Sequence, residues 1–395
     1  MVTFQTISDK DLMKIERFTA AHTVCERCRA ACATQGGASK NIEQINEECI
    51  VCGRLRDATL ADDIVRAITS EGYEWDSFRI SVVIPRLGSS YSQDELEAYD
   101  LLRQFAKSDI KRDTGQKLET KLNKPVNTDM PDLDIILSSS GEIKLEGAPI
   151  YIQGKYHKHM QWVSQSVWFC NDCGGRGCIE CGFRGRHYAS SIDEIILTPL
   201  TSAFRGQSAL LHAGGREDVD VLVKGSGRPF VAQVVNPHRR KVELSQVQEI
   251  INEYARGIAD VTNLQITNKS SVRELKVASE SGEKTYTGVI RVQSEVTRSR
   301  VEDVTKQMRG IVLQQATPFR VLSRRADLRR MKHIISVDLN LIEPRTLGFV
   351  VKCQGGTYIK EFISGDDGRT NPSIAGALHT PAVCIELCLM DVCHK

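Results

Sequence analysis

The segment richest in reactive groups is GGREDVDVLVKGSGRPF, residues 214–230. Gly214 and Gly215 permit a tight backbone just before Arg216-Glu217-Asp218, and an alternating apolar run follows. A turn of this kind opening a strand would fix the Asp218 carboxylate at the rim of a sheet. Taken alone, an acidic turn before a strand is usually a solvated loop. The second source of chemistry is thiol: of thirteen cysteines, eight fall into four C-x-x-C pairs.

Cys25/Cys28 and Cys49/Cys52 are two such pairs separated by a twenty-residue loop. Four thiolates in two knuckles can close a tetrahedral zinc site, which leaves no open position and therefore serves structure. Cys170, Cys173, Cys178 and Cys181 form a tighter group with glycines in the turn, a second possible site. Spacing leaves pairings across the two groups open, and thiolate ligation alone also admits an iron–sulfur cluster. Cys32, Cys353, Cys384, Cys388 and Cys393 have no comparable pattern and read as packing or surface thiols. In a long chain without a signal-like start, this usage indicates a reducing compartment rather than disulfides.

The surrounding elements follow from periodicity. Residues 1–52 are helical in pattern and carry the first Cys pairs. Residues 53–165 mix a helix around Asp62–Thr69 and a charged helix over Ser92–Lys107 with strands such as FRISVVI and DLDIIL. Residues 166–189 are a Cys-rich knuckle, and 190–395 a second α+β region. There DVDVLVKGSGRPFVAQVV reads as two strands joined by a Gly-rich turn, and LSQVQEIINEYARGI as a helix. KTYTGVIRVQSEV reads as a strand, RVEDVTKQMRGIVLQQ as a helix, and the stretch from Met331 through GTYIKEF as a hairpin or meander. The order implies a mixed, largely antiparallel sheet covered by helices. No apolar run is long enough for a membrane span, so a soluble, cytoplasmic protein is expected. Net charge is +2, but the first 200 residues carry 24 Lys and Arg against 29 Asp and Glu, and the remainder 28 against 21. A basic C-terminal half is compatible with a polyanionic partner.

GRED resembles the GR-x-D signature of pseudouridine synthases, EKTYTGVI resembles their tyrosine-bearing strand, and GTYIKEFISGDDGRTNPSIAGAL their third motif. With GRPF, VVNPHR, TPFRVLSRR, GKYHKHM and the Cys pairs, the chain is most similar to the Pus ten family over nearly its whole length. Leu222, Gln233 and Ser364 depart from residues usual in that family.

The resemblance implies a pseudouridine synthase fold behind a zinc-containing, THUMP-like RNA-binding region. It implies an isomerase acting on uridines 54 and 55 in the T-arm of tRNA, with no cofactor for catalysis. Asp218 would be the nucleophile, Lys360 the cation that keeps it ionised, and Tyr286 a stacking ring whose hydroxyl could help remove a proton. Tyr358, Arg216 and Leu378 would line the substrate pocket. Arg320, Arg324 and Arg325 open a run of six cations in the thirteen residues to Lys332, broken only by Asp327, and would contact phosphate. His238, Arg239 and Arg240 form a second basic cluster, and Lys155, with Tyr156 and Lys158, is a candidate for holding the acceptor end. A monomer is compatible with the sequence, which does not fix an oligomeric state. A methyltransferase or thiolase would need a phosphate-binding glycine loop opening a helix, and none follows a strand here. A zinc hydrolase would need an open metal site such as H-E-x-x-H, which is absent. An RNA chaperone without activity is disfavoured because Asp218 and Tyr286 are both present.

Overall fold

The computed structural model describes residues 7–33 and 48–393. They fall into two compact units, one of Met1–Pro149 with Asn236–Lys241, the other of Ile150–Val235 with Val242–Lys395.

In the first unit, helix α1 (Asp9–Ala21) begins at Ser8, whose hydroxyl accepts from the Asp11 amide, and is followed by α2 (Glu26–Ala33). Helix α3 (Leu60–Glu71) stops at Gly72 in the left-handed region. Strand β1 (Phe78–Val83) alternates buried Phe78, Ile80 and Val82 with more open residues. Helix α4 (Gln93–Leu122) starts in a capping box of Ser92 and Glu95, and buries Ala98, Leu102, Phe105 and Ile110 at helical spacing. It runs fifteen residues past the Lys107 limit expected from sequence, continuing through Asp109, Thr114 and Leu118, which are also buried. Strands β2 (Leu133–Ser138) and β3 (Ile143–Gly147) complete a three-stranded sheet, with β1 parallel to β2 and β3 antiparallel.

The second unit begins with β4 (Ile150–Lys158), whose pattern had grouped it with the preceding stretch but which pairs in the large sheet. There follow α5 (Ile192–Ala203), β5 (Ser208–Ala213), β6 (Leu222–Val235), α6 (Leu244–Ala255), β7 (Ala259–Thr267) and α7 (Lys269–Ser281). The chain continues through β8 (Glu283–Val292), α8 (Arg298–Gln307), β9 (Val312–Ala316), a 3-10 turn (Phe319–Arg324), β10 (Arg329–Glu343) and β11 (Thr346–Gln354). It closes with α9 (Ile359–Ser364), β12 (Thr370–Asn371), α10 (Ile374–Leu378) and β13 (Ala382–Cys393). The ten strands run β12-β9-β10-β11-β8-β13-β6-β4-β7, with β5 on β6, and only β13 with β6 is a parallel pair. The class is α+β, with a mixed, mostly antiparallel sheet.

Two apolar cores lie along this sheet. One gathers Ile152, Ile196, Phe204, Phe230 and Ile251, the other Ile290, Val304, Val337, Phe349 and Phe362. Strand β13 belongs to both: Leu389 and Val392 pack into the first, Ala382 and Leu387 into the second.

Three local expectations are corrected. GSG in residues 225–227 does not turn the chain back, because β6 runs straight through it. The glycines form a bulge: Tyr156 faces Arg228 and Lys158 faces Val223, so two residues along β4 span five along β6. Gly225 sits at φ +56°, and a Cβ there would fall 2.0 Å from the Met390 carbonyl oxygen, so the bulge needs glycine. The expected helix over RVEDVTKQMRGIVLQQ ends at Gln307, and Val312–Ala316 is a strand. GTYIKEF leaves the hairpin of β10 and β11 and enters helix α9.

Candidate active site

The site grows from the turn between β5 and β6. Gly214 and Gly215 carry the chain off β5, Gly215 at φ +101°. A Cβ on Gly215 would stand 2.8 Å from both the Arg228 Nη1 and the Lys284 Nζ. Those cations hold the turn: Arg228 Nη1 donates to the Gly214 carbonyl at 2.9 Å, and Lys284 Nζ reaches it at 3.4 Å. Gln165 donates to the Gly215 carbonyl at 2.9 Å. We therefore predict that Gly215→Ala displaces the turn and lowers stability by about 1–3 kcal/mol, to be read from thermal melting; wild-type melting would show that the turn tolerates a side chain.

Side chains alternate around the turn. Glu217 points inward and is buried, accepting from the Tyr156 hydroxyl at 2.7 and 2.9 Å and pairing with Arg228 Nε at 2.8 Å. Arg216 points outward, its guanidinium 5.3 Å from the centre of the Trp168 ring. Asp218 points into a cavity of about 200 Å³ lined by Trp168, Arg216, Tyr286, Arg320, Tyr358, Lys360 and Leu387, among others.

Acids and bases alternate in a series that passes through Asp218 at that cavity. Lys360 Nζ lies 2.7 Å from both oxygens of Asp220 and 3.5 Å from Asp218 Oδ2. Arg320 Nη1 donates to Asp218 Oδ1 at 2.8 Å, while its Nε donates to Glu361 at 2.6 Å. The series is therefore Asp220, Lys360, Asp218, Arg320, Glu361. Burial works against the Arg320 charge, but Glu361 and Asp218 more than offset it and its pKa rises. The nearest cation to Asp218 is thus Arg320, from the basic run, and Lys360 sits closest to Asp220.

Tyr286, on β8 between Val351 of β11 and Leu389 of β13, lines the cavity. Burial, then the neighbouring Cys353, push its phenol well above the usual range, so it is neutral near pH 7. Tyr358 stands just before α9 rather than in a strand. Gln315 holds its backbone on both sides, at 2.8 and 2.9 Å, and Arg325 Nη1 donates to its hydroxyl at 2.9 Å.

Other sequence candidates stand elsewhere. Leu378 ends α10 inside the second core, and Leu387 of β13 is the leucine lining the cavity. Lys155 lines a separate hollow with Gln153, Asn263 and Gln265. Arg239 belongs to the first unit, 3.9 Å from Glu74. The Arg324 side chain lies outside the described residues. Tyr156 and Lys158 have no solvent exposure and cannot touch an RNA end. Sequence reasoning missed Glu217, Gln165, Arg228, Lys158 and Asp220 as parts of this site. All but Gln165 lay inside the quoted motifs, yet nothing in an alternating pattern says that a lysine or arginine faces inward.

Both cysteine groups assemble. Cys25, Cys28, Cys49 and Cys52 converge in the first unit, and Cys170, Cys173, Cys178 and Cys181 in the second. Sulfur pairs stand 3.6 Å apart for Cys25 and Cys52, 3.8 Å for Cys170 and Cys178, and 3.9 Å for Cys173 and Cys181. A tetrahedron of thiolates with Zn–S near 2.3 Å has edges of about 3.8 Å, so the donor sets fit such an ion. Amides of Gly177 and Gly185 point at Cys173 and Cys181 sulfurs at 3.2 Å, the outer-shell donors a thiolate metal site uses. Cys32 and Cys353 are buried singly. Among the described residues no helix is long and apolar enough to cross a membrane.

Residues 151–394 match the family model described as Pus10, C-terminal. The tRNA pseudouridine synthase Pus10 of Methanothrix thermoacetophila is 35% identical over 372 residues, 93% of this chain and 81% of that protein. The protein of the same name from Korarchaeum cryptofilum is 34% identical over 355 residues, 87% of this chain and 92% of that one. A solved Cbf5-Nop10-Gar1 complex aligns with 49% of this chain and 43% of its own at 18% identity and a TM-score of 0.31, a likeness too distant to bear on the fold.

Proposed function

Because this chain belongs to the Pus10 family of tRNA pseudouridine synthases, we propose that it isomerises uridines 54 and 55 of the tRNA T-arm by an Asp218-dependent, base-flipping route. The enzyme is an isomerase that forms pseudouridine in tRNA. The observation that carries the finer reading is the half-open Asp218 carboxylate, held between Arg320 and Lys360 and sharing one small cavity with Tyr286.

Pseudouridylation breaks the bond between uracil and C1′, turns the base and rejoins it through C5. No electrons are exchanged, so the chain's own groups suffice. A uridine inside a folded loop must leave its stack to enter the cavity, at a cost of about a few kcal/mol. Tyr286 and Leu387 offer apolar faces to the flipped base, and Asp218 meets the sugar–base junction as nucleophile. Arg320 occupies Asp218 Oδ1 before substrate arrives, so its guanidinium must shift toward a phosphate as the sugar takes its place. Arg325 and the exposed Arg329 and Arg330 extend that phosphate surface. Each cysteine cluster would hold structural zinc, with no role in the reaction.

The Tyr286 hydroxyl is the candidate for moving the C5 proton. Tyr286→Phe keeps the ring, so tRNA affinity should persist while the single-turnover rate falls by about 10²-fold. An unchanged rate would reduce Tyr286 to a stacking surface. Mapping pseudouridine on an unmodified tRNA transcript tests the site preference: new pseudouridine confined to the anticodon arm would sink the T-arm reading.

A further inference from the structure

The mechanism above leaves one buried charge without a task. Lys158 ends strand β4 with no exposure to solvent, a place lysine rarely takes. Its three N–H donors go to backbone carbonyls: Val163 at 2.7 Å, Val219 at 2.9 Å and Asp218 at 3.3 Å. Two of those carbonyls belong to the turn that presents Asp218. The third belongs to the segment leading into the Cys170–Cys181 knuckle, which touches the same turn where the Trp162 amide donates to Val219 at 2.8 Å.

We propose that Lys158 is a positioning residue for the isomerisation: from beneath the turn, its ammonium fixes the backbone of Asp218 and Val219 and so sets where the Asp218 carboxylate stands. This rests on the reading of Asp218 as the reacting group. The cation does two things that a neutral donor would do less well. It satisfies three carbonyls at once, and it places positive charge under a turn carrying Glu217, Asp218 and Asp220. Glu217, Asp220 and Asp218 face it from the turn and favour its charge, and Arg228 faces it from β6 and opposes it. Burial outweighs these and pulls its pKa down to about 8. Lys284, held on β8 below Gly214, is drawn down to about 8 in the same way, but its contacts are longer, at 3.4 and 3.5 Å.

The test is single-turnover pseudouridine formation on an unmodified tRNA transcript, followed from neutral to mildly alkaline pH. Wild type should slow as pH passes about 8 and Lys158 loses its proton. Lys158→Met should be about 10²-fold slower at neutral pH, as for a reacting group moved by a fraction of its reach, with tRNA affinity retained and the alkaline decline gone. Lys158→Arg, which keeps its charge at every pH used, should also lose the decline while running faster than the Met variant, and it serves if Lys158→Met fails to fold. Lys284→Met should keep the decline. Titration of uridine itself is common to all four proteins, so the decline compared is the part beyond that shared loss. The proposal is overturned if Lys158→Met runs within about threefold of wild type, if the decline survives in Lys158→Arg, or if it disappears in Lys284→Met. Asp218→Asn, assayed alongside, separates the two readings. An active Asn variant sinks the Asp218 assignment, whereas an inactive one beside a fast Lys158→Met sinks only the positioning role.

Discussion

Asp218→Asn should form no detectable pseudouridine while still binding tRNA, a loss on the order of 10⁴-fold or more in single-turnover rate. The substitution is nearly isosteric. It keeps an oxygen for the Arg320 hydrogen bond at 2.8 Å and leaves the turn's carbonyl contacts to Lys158 in place. What it removes is the negative charge between Arg320 and Lys360, and with it the only carboxylate among the described residues aimed into the cavity with both a half-open surface and two cations about it. Glu361 is nearly fully buried, and Asp220 has both oxygens on Lys360. Neither can step in without dismantling the pairs that hold it. The measurement is pseudouridine content of a T-loop fragment after enzyme excess. A rate within about tenfold of wild type would remove Asp218 from the chemistry.

One residue earlier, the expected effect is large and of another kind. Glu217→Ala should cost about 3–5 kcal/mol of stability, because it strands the Arg228 guanidinium in a site that water does not reach. The side chains of Glu217 and Arg228 are 1% and 2% exposed, and the Tyr156 hydroxyl loses its acceptor as well. The midpoint of denaturant unfolding of the second unit reports this loss, at unchanged slope. Glu217→Leu combined with Arg228→Met removes both charges and should recover most of it, since a buried pair gives little over a well-packed apolar one. If Glu217→Ala unfolds at the wild-type midpoint, the buried pair is not what secures the turn. Adjacent acids in one motif thus stand differently: Glu217 is buried in an ion pair, whereas Asp218 is half open toward the cavity.

Much of this was legible in the residues. Cys-x-x-Cys spacing announces two thiolate clusters because a knuckle's geometry is local, and both assemble. The turn before β6 is legible because two glycines and an acid precede an alternating run. What could not be read is set by distant contacts. KYHK alternates as a half-solvated strand does, yet Tyr156 and Lys158 face inward because a carboxylate and three carbonyls await them there. GSG reads as a hairpin turn from composition, but partners on both sides hold β6 straight and turn the glycines into a bulge. GTYIKEF reads as strand from its aromatic and β-branched residues, whereas Gln315, forty-three residues away, clamps Tyr358 ahead of a helix. Leu378 and Leu387 are nine residues apart and equally apolar, so only packing decides which one faces the cavity.

The place of β13 in the sheet bears on how the enzyme comes into being. Among the described residues, strands β4 to β7 and strands β8 to β12 meet along the sheet only across β13, which pairs β8 on one side and β6 on the other. Asp218 sits on one side of that seam and Tyr286 on the other. Until residues 382–393 are made and join the sheet, β8 presents an open edge over Glu283–Val292 and β6 a short one at Leu222 and Val223, the kind of surface that invites pairing with other chains. Both apolar cores also lack residues that β13 supplies. The cavity that holds Asp218 and Tyr286 is therefore complete only once β13 is in place: until then the strands on its two sides are separate half-sheets, and residues 382–393 are what join them.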